Sequence, residues 1–237
     1  MEDAMRLDKY LADMKCGTRS EVKKLIKAKR VKVNGETMKD ASYDVRESDT
    51  VTLDNEEISY VEKEYYLLYK PAGTVCALED RKYPVVMELI DSRRKDLFPV
   101  GRLDLDTEGV LLITNDGKLA HSLLSPKHHV EKTYYVETEN DLPEDAEKLL
   151  ETPMDLGDFI TLPAKAKVLS SKSAELTVHE GKYHQVKRMF EKIGAPVSYL
   201  KRISFGGLDL TGLEKGDFRS LNEEEIEDLK RQTEDPA

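Results

Sequence analysis

The run from Val100 to Gly117 constrains this chain more than any other. At its centre, Val110-Leu111-Leu112-Ile113 is an unbroken apolar segment of the length that suits a buried strand. Asn115-Asp116-Gly117 follows with turn chemistry. Ahead of the strand stands Gly101-Arg102-Leu103-Asp104-Leu105-Asp106-Thr107-Glu108-Gly109, with Asp104 and Asp106 two residues apart beside an arginine. Burying the strand holds these acids at its mouth. Carboxylates fixed at such a place are costly to desolvate and are better candidates for chemistry than surface acids.

The remaining composition limits what the acids can serve. The chain has 237 residues, 39% hydrophobic and 35% charged, which suits a soluble globular protein of one large domain or of a small and a medium one. No run approaches the length of a membrane span, and Met1-Glu2-Asp3-Ala4 is no signal peptide. Cys16 and Cys76 are the only cysteines and lack zinc-type spacing. A reducing, cytoplasmic location without structural zinc is therefore expected. The net charge of −10 argues against nucleic acid at first sight. Its distribution reverses that argument. From Met5 to Asn34 ten basic residues face three acids, a local charge of +7. A local patch, not the total, sets an electrostatic footprint.

That basic segment has a regular pattern. Leu7, Leu11 and Met14 recur at helical spacing, predicting a helix over Arg6–Met14 that Gly17 breaks. Thr18-Arg19-Ser20-Glu21 is a capping box opening a second helix. Val22, Leu25 and Ile26 form the buried face of that helix, and Lys23, Lys24 and Lys27 share the other side. Arg30–Asn34 alternates as a strand and ends at the tight-turn pair Asn34-Gly35. Short strands are predicted at Thr37–Met38, Tyr43–Val45 and Val51–Leu53. This layout resembles the alpha-L, or S4-type, RNA-binding domain, on Arg6-Leu7-Asp8-Lys9-Tyr10-Leu11, Thr18-Arg19-Ser20 and Arg30-Val31-Lys32-Val33-Asn34-Gly35. Independently of it, a helix N-terminus flanked by Arg and Lys is a phosphate site. The expected RNA contacts here are Arg6, Lys9, Thr18, Arg19, Ser20, Lys23, Lys24, Lys27 and Arg30.

A polar linker follows, and Tyr65–Tyr69 reads as a strand running into the forced turn Lys70-Pro71-Ala72-Gly73. Helices are predicted at Val85–Ile90, Lys118–Leu124, Glu144–Leu150, His184–Ile193 and Glu223–Lys230. Strands are predicted at Lys132–Val136, Ala164–Val168, Ala174–Val178, Val197–Tyr199 and around Gly206–Leu210. Tyr134 and Tyr135 fall on opposite faces of their strand, Tyr135 toward the core. In His184–Ile193, His184, Lys187 and Arg188 share the side opposite Val186, Met189, Phe190 and Ile193.

Asp104-Leu105-Asp106-Thr107 has the look of the magnesium-binding acid pair of metal-dependent phosphatases. The residues before it make a poor first strand, and the threonine is one position too early. A better match uses four segments in order: Lys70-Pro71-Ala72-Gly73, the Gly101–Thr114 stretch, Lys132-Thr133-Tyr134, and Gly181-Lys182-Tyr183-His184-Gln185-Val186-Lys187-Arg188-Met189. Together they resemble the pseudouridine synthases, more narrowly the RsuA type that modifies small-subunit (16S) ribosomal RNA. The likeness covers nearly the whole chain.

The resemblance implies an α+β fold: an S4-type domain (1–59), a linker (60–64) and a catalytic domain (65–237) with a mixed, mainly antiparallel sheet flanked by helices. It also implies roles. Asp104 matches the essential aspartate, Tyr134 the tyrosine against the target base, and Lys187 the basic partner of the aspartate. Leu111 and Val186 are expected as apolar walls. Arg102, His184 and Arg188 join the expected RNA contacts, with Arg102 equally fit to pair with Asp106. The reaction needs no metal and no cofactor. A neighbouring cation keeps a buried aspartate ionised, and Lys187 with Arg188 can supply it. The uridine must be flipped out and held by stacking. Asp106 is expected to brace its loop. The expected partner is ribosomal RNA, 16S or a pre-ribosomal particle, met by a monomer. Large-subunit rRNA, tRNA, or a non-catalytic RNA-binding role are the alternatives.

Overall fold

The computed structural model describes residues 5–92, 94 and 96–234. It separates into two compact units, Met1–Lys63 with Asp91–Leu97, and Glu64–Ile90 with Phe98–Ala237. The sequence alone assigns Asp91–Leu97 to the second unit; in space it groups with the first.

In the first unit, helices Leu7–Asp13 and Arg19–Lys27 pack on a small antiparallel sheet. Its strand order is Glu36–Thr37, Val31–Val33, Val51–Leu53, Glu56–Glu57. Leu7, Tyr10, Leu11, Met14, Val22 and Ile26 close one core with Val31, Val33 and Val51. Each such aliphatic burial contributes about 1.5–3 kcal/mol relative to exposure. The capping box forms as read: Thr18 accepts from the Glu21 N–H, and Glu21 takes the Thr18 N–H at 2.7 Å.

The second unit is built on one long sheet. Its order is Lys165–Ser170, Ser173–Val178, Lys132–Thr138, Val197–Phe205, Glu108–Thr114, Tyr65–Lys70, Phe218–Ser220. Only Val197–Phe205 beside Glu108–Thr114 is parallel; the other pairings along this path are antiparallel. The sheet is thus mixed and mainly antiparallel, with helices against it. The Val110–Ile113 run sits in the strand Glu108–Thr114, every residue of which is buried. Asp116 caps the following helix Gly117–Leu124 by accepting from the Leu119 N–H at 3.1 Å.

Two apolar clusters fill this unit. One gathers Leu67, Val110, Leu112, Leu119, Leu123, Phe205 and Leu229. The other gathers Tyr134, Val136, Leu176, Val186, Met189, Phe190 and Leu200. Gly109 makes the parallel pair possible. Its φ is +116°, and a Cβ there would lie 2.1 Å from the Arg202 carbonyl oxygen.

Several expected elements change in detail. Val85–Ile90 forms only a 3-10 turn at Val86–Leu89. The strand predicted at Val197–Tyr199 continues to Phe205. Gly206–Leu210 reduces to the pair Leu208–Asp209. The helix predicted from His184 starts at Gln185, because His184 holds a left-handed backbone with φ 49° and acts as N-cap. Tyr135, expected in the core, is half-buried and donates its hydroxyl to Glu137 at 2.9 Å.

Candidate active site

The three acids of the Asp104–Glu108 run meet different fates. Glu108 is buried and structural: Tyr199 donates its hydroxyl to it and Lys215 its ammonium, both at 2.8 Å. Asp106 is exposed and accepts from Lys187 Nζ at 2.7 Å. Asp104 lies between a lysine and a histidine. Lys187 Nζ is 3.0 Å from its Oδ2, and His184 Nε2 is 3.4 Å from its Oδ1. Lys187 therefore bridges both aspartates. Burial works against charge on Asp106 and on Lys187. The hydrogen bonds and charges of the cluster outweigh it, holding the Asp106 carboxyl below its ordinary range and the Lys187 ammonium above.

The loop that carries Asp104 is held from below. Lys70, at the end of the strand Tyr65–Lys70, is fully buried. Its Nζ donates to the carbonyls of Thr107 at 2.7 Å, Asp104 at 3.0 Å and Pro71 at 3.2 Å. The Gly73 N–H donates to the Leu105 carbonyl at 2.7 Å. The Leu103 N–H reaches Cys76 Sγ at 3.3 Å. The Lys70-Pro71-Ala72-Gly73 turn is thus a clamp on the aspartate loop. The sequence pattern alone reveals only the turn. A lysine closing an otherwise apolar strand is the signal that could have revealed the clamp.

The loop before the helix Gln185–Lys192 is fixed in a similar way. Buried Gln185 donates from Nε2 to Glu180 at 2.9 Å and accepts from the Lys182 N–H at 3.3 Å. This sets His184 at the helix start, its ring stacked on that of exposed Tyr183 at 3.8 Å between centroids.

A cleft opens over Asp104, Thr107, Lys132, Tyr134, Val186 and Arg202, with Arg102, His184 and Lys187 at its wall. Tyr134 is largely buried there and turns toward the cleft side of its strand. Val186 lines the cleft as expected. Leu111 does not; it is fully buried in the central strand, and Leu103 and Leu200 take its place. Arg102 is exposed, and the partner of Asp106 is Lys187 rather than Arg102. Arg188 also departs from expectation. It is tied to Asp158 and to the Leu156 carbonyl, so it supplies no charge to Asp104.

In the first unit the expected RNA contacts divide. Arg6 is paired with buried Asp8 at 3.0 Å, with Lys23 3.8 Å from the same acid. Lys9 lies 3.9 Å from Asp13, and Arg30 donates to Asp54 at 2.8 Å. Thr18 is committed to its cap, and the Glu21 carboxylate occupies that helix start, which disfavours phosphate there. Ser20 is exposed beside them. Arg19, Lys24 and Lys27 are exposed and form no ion pair among the described residues. The exposed cations, not the helix end, are the groups left open to an anion.

The family description RNA pseudouridylate synthase matches residues 64–192, and the S4 domain matches residues 5–51. The chain belongs to the RNA pseudouridine synthases. It is 39% identical to the ribosomal small subunit pseudouridine synthase A of Haemophilus influenzae, over 95% of this chain and 99% of that one. It is 38% identical to the ribosomal large subunit pseudouridine synthase B of Bacillus subtilis, over 95% of both. Among solved structures, a pseudouridylate synthase superposes with a TM-score of 0.68 at 38% identity, covering 95% of this chain and all of the other. Pseudouridine synthases isomerise uridine within RNA. The magnesium phosphatase reading of the D-x-D-T run falls with this result.

Proposed function

We propose that this pseudouridine synthase modifies a uridine of small-subunit (16S) ribosomal RNA, with Asp104 as the catalytic carboxylate. The observation that carries the site assignment is the position of Asp104 between Lys187 and His184 at the mouth of the Tyr134 cleft. Breaking the N-glycosidic bond leaves positive charge on the sugar. A carboxylate paired with Lys187 meets that charge. Tyr134 stacks on the extruded base, and Asp106 acts through Lys187, anchoring it on its second side. Arg102 and His184, at the cleft wall, are placed for the RNA backbone or the flanking bases.

The small-subunit target is supported by the Haemophilus influenzae relative. The Bacillus subtilis relative, at similar identity, supports a large-subunit target, so the test carries both arms. Pseudouridine is mapped in both rRNAs from cells lacking the protein. Loss of one 16S pseudouridine, restored by wild type and not by Asp104→Asn, is the expected result. Loss in the large-subunit rRNA, or in neither, overturns the target.

The first unit is assigned RNA gripping through Arg19, Lys23 and Lys24. Removing one phosphate-binding cation lowers the slope of log affinity against log salt by roughly 0.7–0.9. Changing all three to Gln is expected to flatten the slope by about 2 and weaken binding, measured by fluorescence anisotropy across a salt series. An unchanged slope means that the patch is only a solvated surface.

A further inference from the structure

Two buried cations lie under the cleft, and neither forms an ion pair among the described residues. Lys132 and Tyr134 alternate onto one face of their strand, and Arg202 stands directly opposite Tyr134 on the neighbouring strand. Lys132 is 4% and Arg202 3% exposed, and both line the cleft. They share the ring of Phe205: Lys132 Nζ lies 5.5 Å and the Arg202 guanidinium 5.0 Å from its centroid. Their hydrogen bonds are few. Lys132 Nζ donates to the Val130 carbonyl at 2.7 Å, and Arg202 Nε to the Val110 carbonyl at 2.8 Å. Arg202 Nη2 is buried and meets no acceptor among the described residues. Glu180 is the nearby acid, and it already accepts from the Leu162 N–H and from Gln185. Burial and the Arg202 charge together push the Lys132 ammonium down to about 8, with Glu180 opposing.

Buried charges are normally paired, and two like charges around one ring are a costly arrangement. Such an arrangement is useful where a negative charge arrives during function. A phosphate belongs to the outer part of a bound nucleotide, whereas the flipped base reaches deepest. Lys132 shares the face of Tyr134 on its strand, Arg202 is the cross-strand partner of Tyr134, and all three line the cleft, so the cations are placed beside the base that Tyr134 holds.

We propose that Lys132 and Arg202 form an electrostatic subsite for the departing uracil, stabilising the negative charge that its oxygens gain when the glycosidic bond breaks. This rests on the reading of Asp104 and Tyr134 given above. In that step the N1–C1′ bond breaks, and its electron pair stays on uracil, spread over N1, O2 and O4. The sugar carries the positive charge beside Asp104. Rejoining forms the C5–C1′ bond; the C5 proton leaves and N1 gains a proton, so atoms and electrons balance. Preorganised cations in a dry site stabilise such charge without reorganisation.

The test compares single-turnover consumption of the target nucleotide in an rRNA transcript made with uridine or with 5-fluorouridine. Fluorine withdraws electron density and stabilises the uracil anion by itself. Lys132→Met is expected to slow the uridine substrate by roughly 100-fold at unchanged KM, the size typical of removing one charge-stabilising donor. On 5-fluorouridine the loss is expected to shrink to about tenfold or less, because less external stabilisation is needed. Lys132→Gln keeps a donor for the Val130 carbonyl and serves where the methionine variant fails to fold; the same substrate dependence is expected. Equal losses on both substrates, or a raised KM at unchanged kcat as a phosphate contact would give, overturn the subsite. Activity retained by Asp104→Asn overturns the underlying site reading instead.

Discussion

Asp104→Asn is expected to lower the rate of pseudouridine formation by about 10³–10⁴-fold or more, the range for loss of an essential charged group. The substitution keeps the size of the side chain, removes its charge and turns one of its two acceptor oxygens into an NH2 donor. Lys187 retains its bond to Asp106, so the cluster does not come apart. Asp104 is partly exposed, and such ion pairs contribute at most about 1 kcal/mol to stability. The melting temperature and the RNA affinity are therefore expected to stay near wild type. Asp106→Asn is the comparator. It loosens Lys187 without touching the carboxylate that faces the cleft, and a fall of about tenfold is expected. Single-turnover assays on one transcript, with binding measured in parallel, check both. A fully active Asp104→Asn enzyme would sink the assignment, and so would an Asp106 variant that is equally dead.

The difference between these two aspartates shows what the sequence makes legible. The run Asp104-Leu105-Asp106 presents two similar carboxylates, and the other motifs single out Asp104 through Tyr134 and Lys187. The structure brings all three to one cleft because strand alternation and helix phase are local properties, readable from spacing. Arg188 is misplaced by the sequence pattern for a related reason. It does lie one position from Lys187 on the polar side of its helix, but Asp158, thirty residues away in sequence, captures it. Partner choice across such distances leaves no trace in periodicity. The same limit hides Lys132 and Arg202. The alternation that puts Tyr134 in the cleft puts Lys132 on the same face, yet Arg202 arrives from a strand whose register is set by the parallel pairing at Gly109. In the first unit, the capping box and the apolar phase of both helices are readable. That Glu21 closes the helix start to phosphate is readable too, from its place in that box, which leaves the exposed cations of the same helix, Arg19, Lys23 and Lys24, for the proposed RNA contact.

Lys70→Met is expected to damage stability and catalysis together, which separates it from Asp104→Asn. The Lys70 ammonium is completely buried and has three carbonyl partners, two of them on the aspartate loop. Methionine fills much of the same volume and donates nothing. Three carbonyls then lose a bond to a charged donor, worth about 1.5–3 kcal/mol each; the Asp104 and Pro71 oxygens keep the Thr107 N–H and the Thr74 hydroxyl as donors, the Thr107 oxygen loses its ammonium partner, and the cost of burying the charge is relieved. A net loss of about 2–4 kcal/mol is expected, which lowers the melting temperature of a unit of this size by roughly 5–15 °C. The freed loop no longer fixes Asp104 against the cleft, and a displacement near 1 Å there costs about 100-fold in rate. Alkaline pH gives an independent signature. Burial lowers the folded-state pKa of Lys70 below its ordinary value. Between the two values the unfolded chain binds more protons than the folded one, so the ionisation of Lys70 makes stability rise with pH across that window. Below the depressed value its unfavourable contribution is fully present, and above the ordinary lysine value it is gone. The stability of wild type relative to Lys70→Met is therefore expected to climb as pH rises toward the lysine range, measured by urea unfolding at a series of pH values. A methionine variant as stable and as active as wild type would show that the clamp on the aspartate loop resides in Gly73 and Cys76 alone.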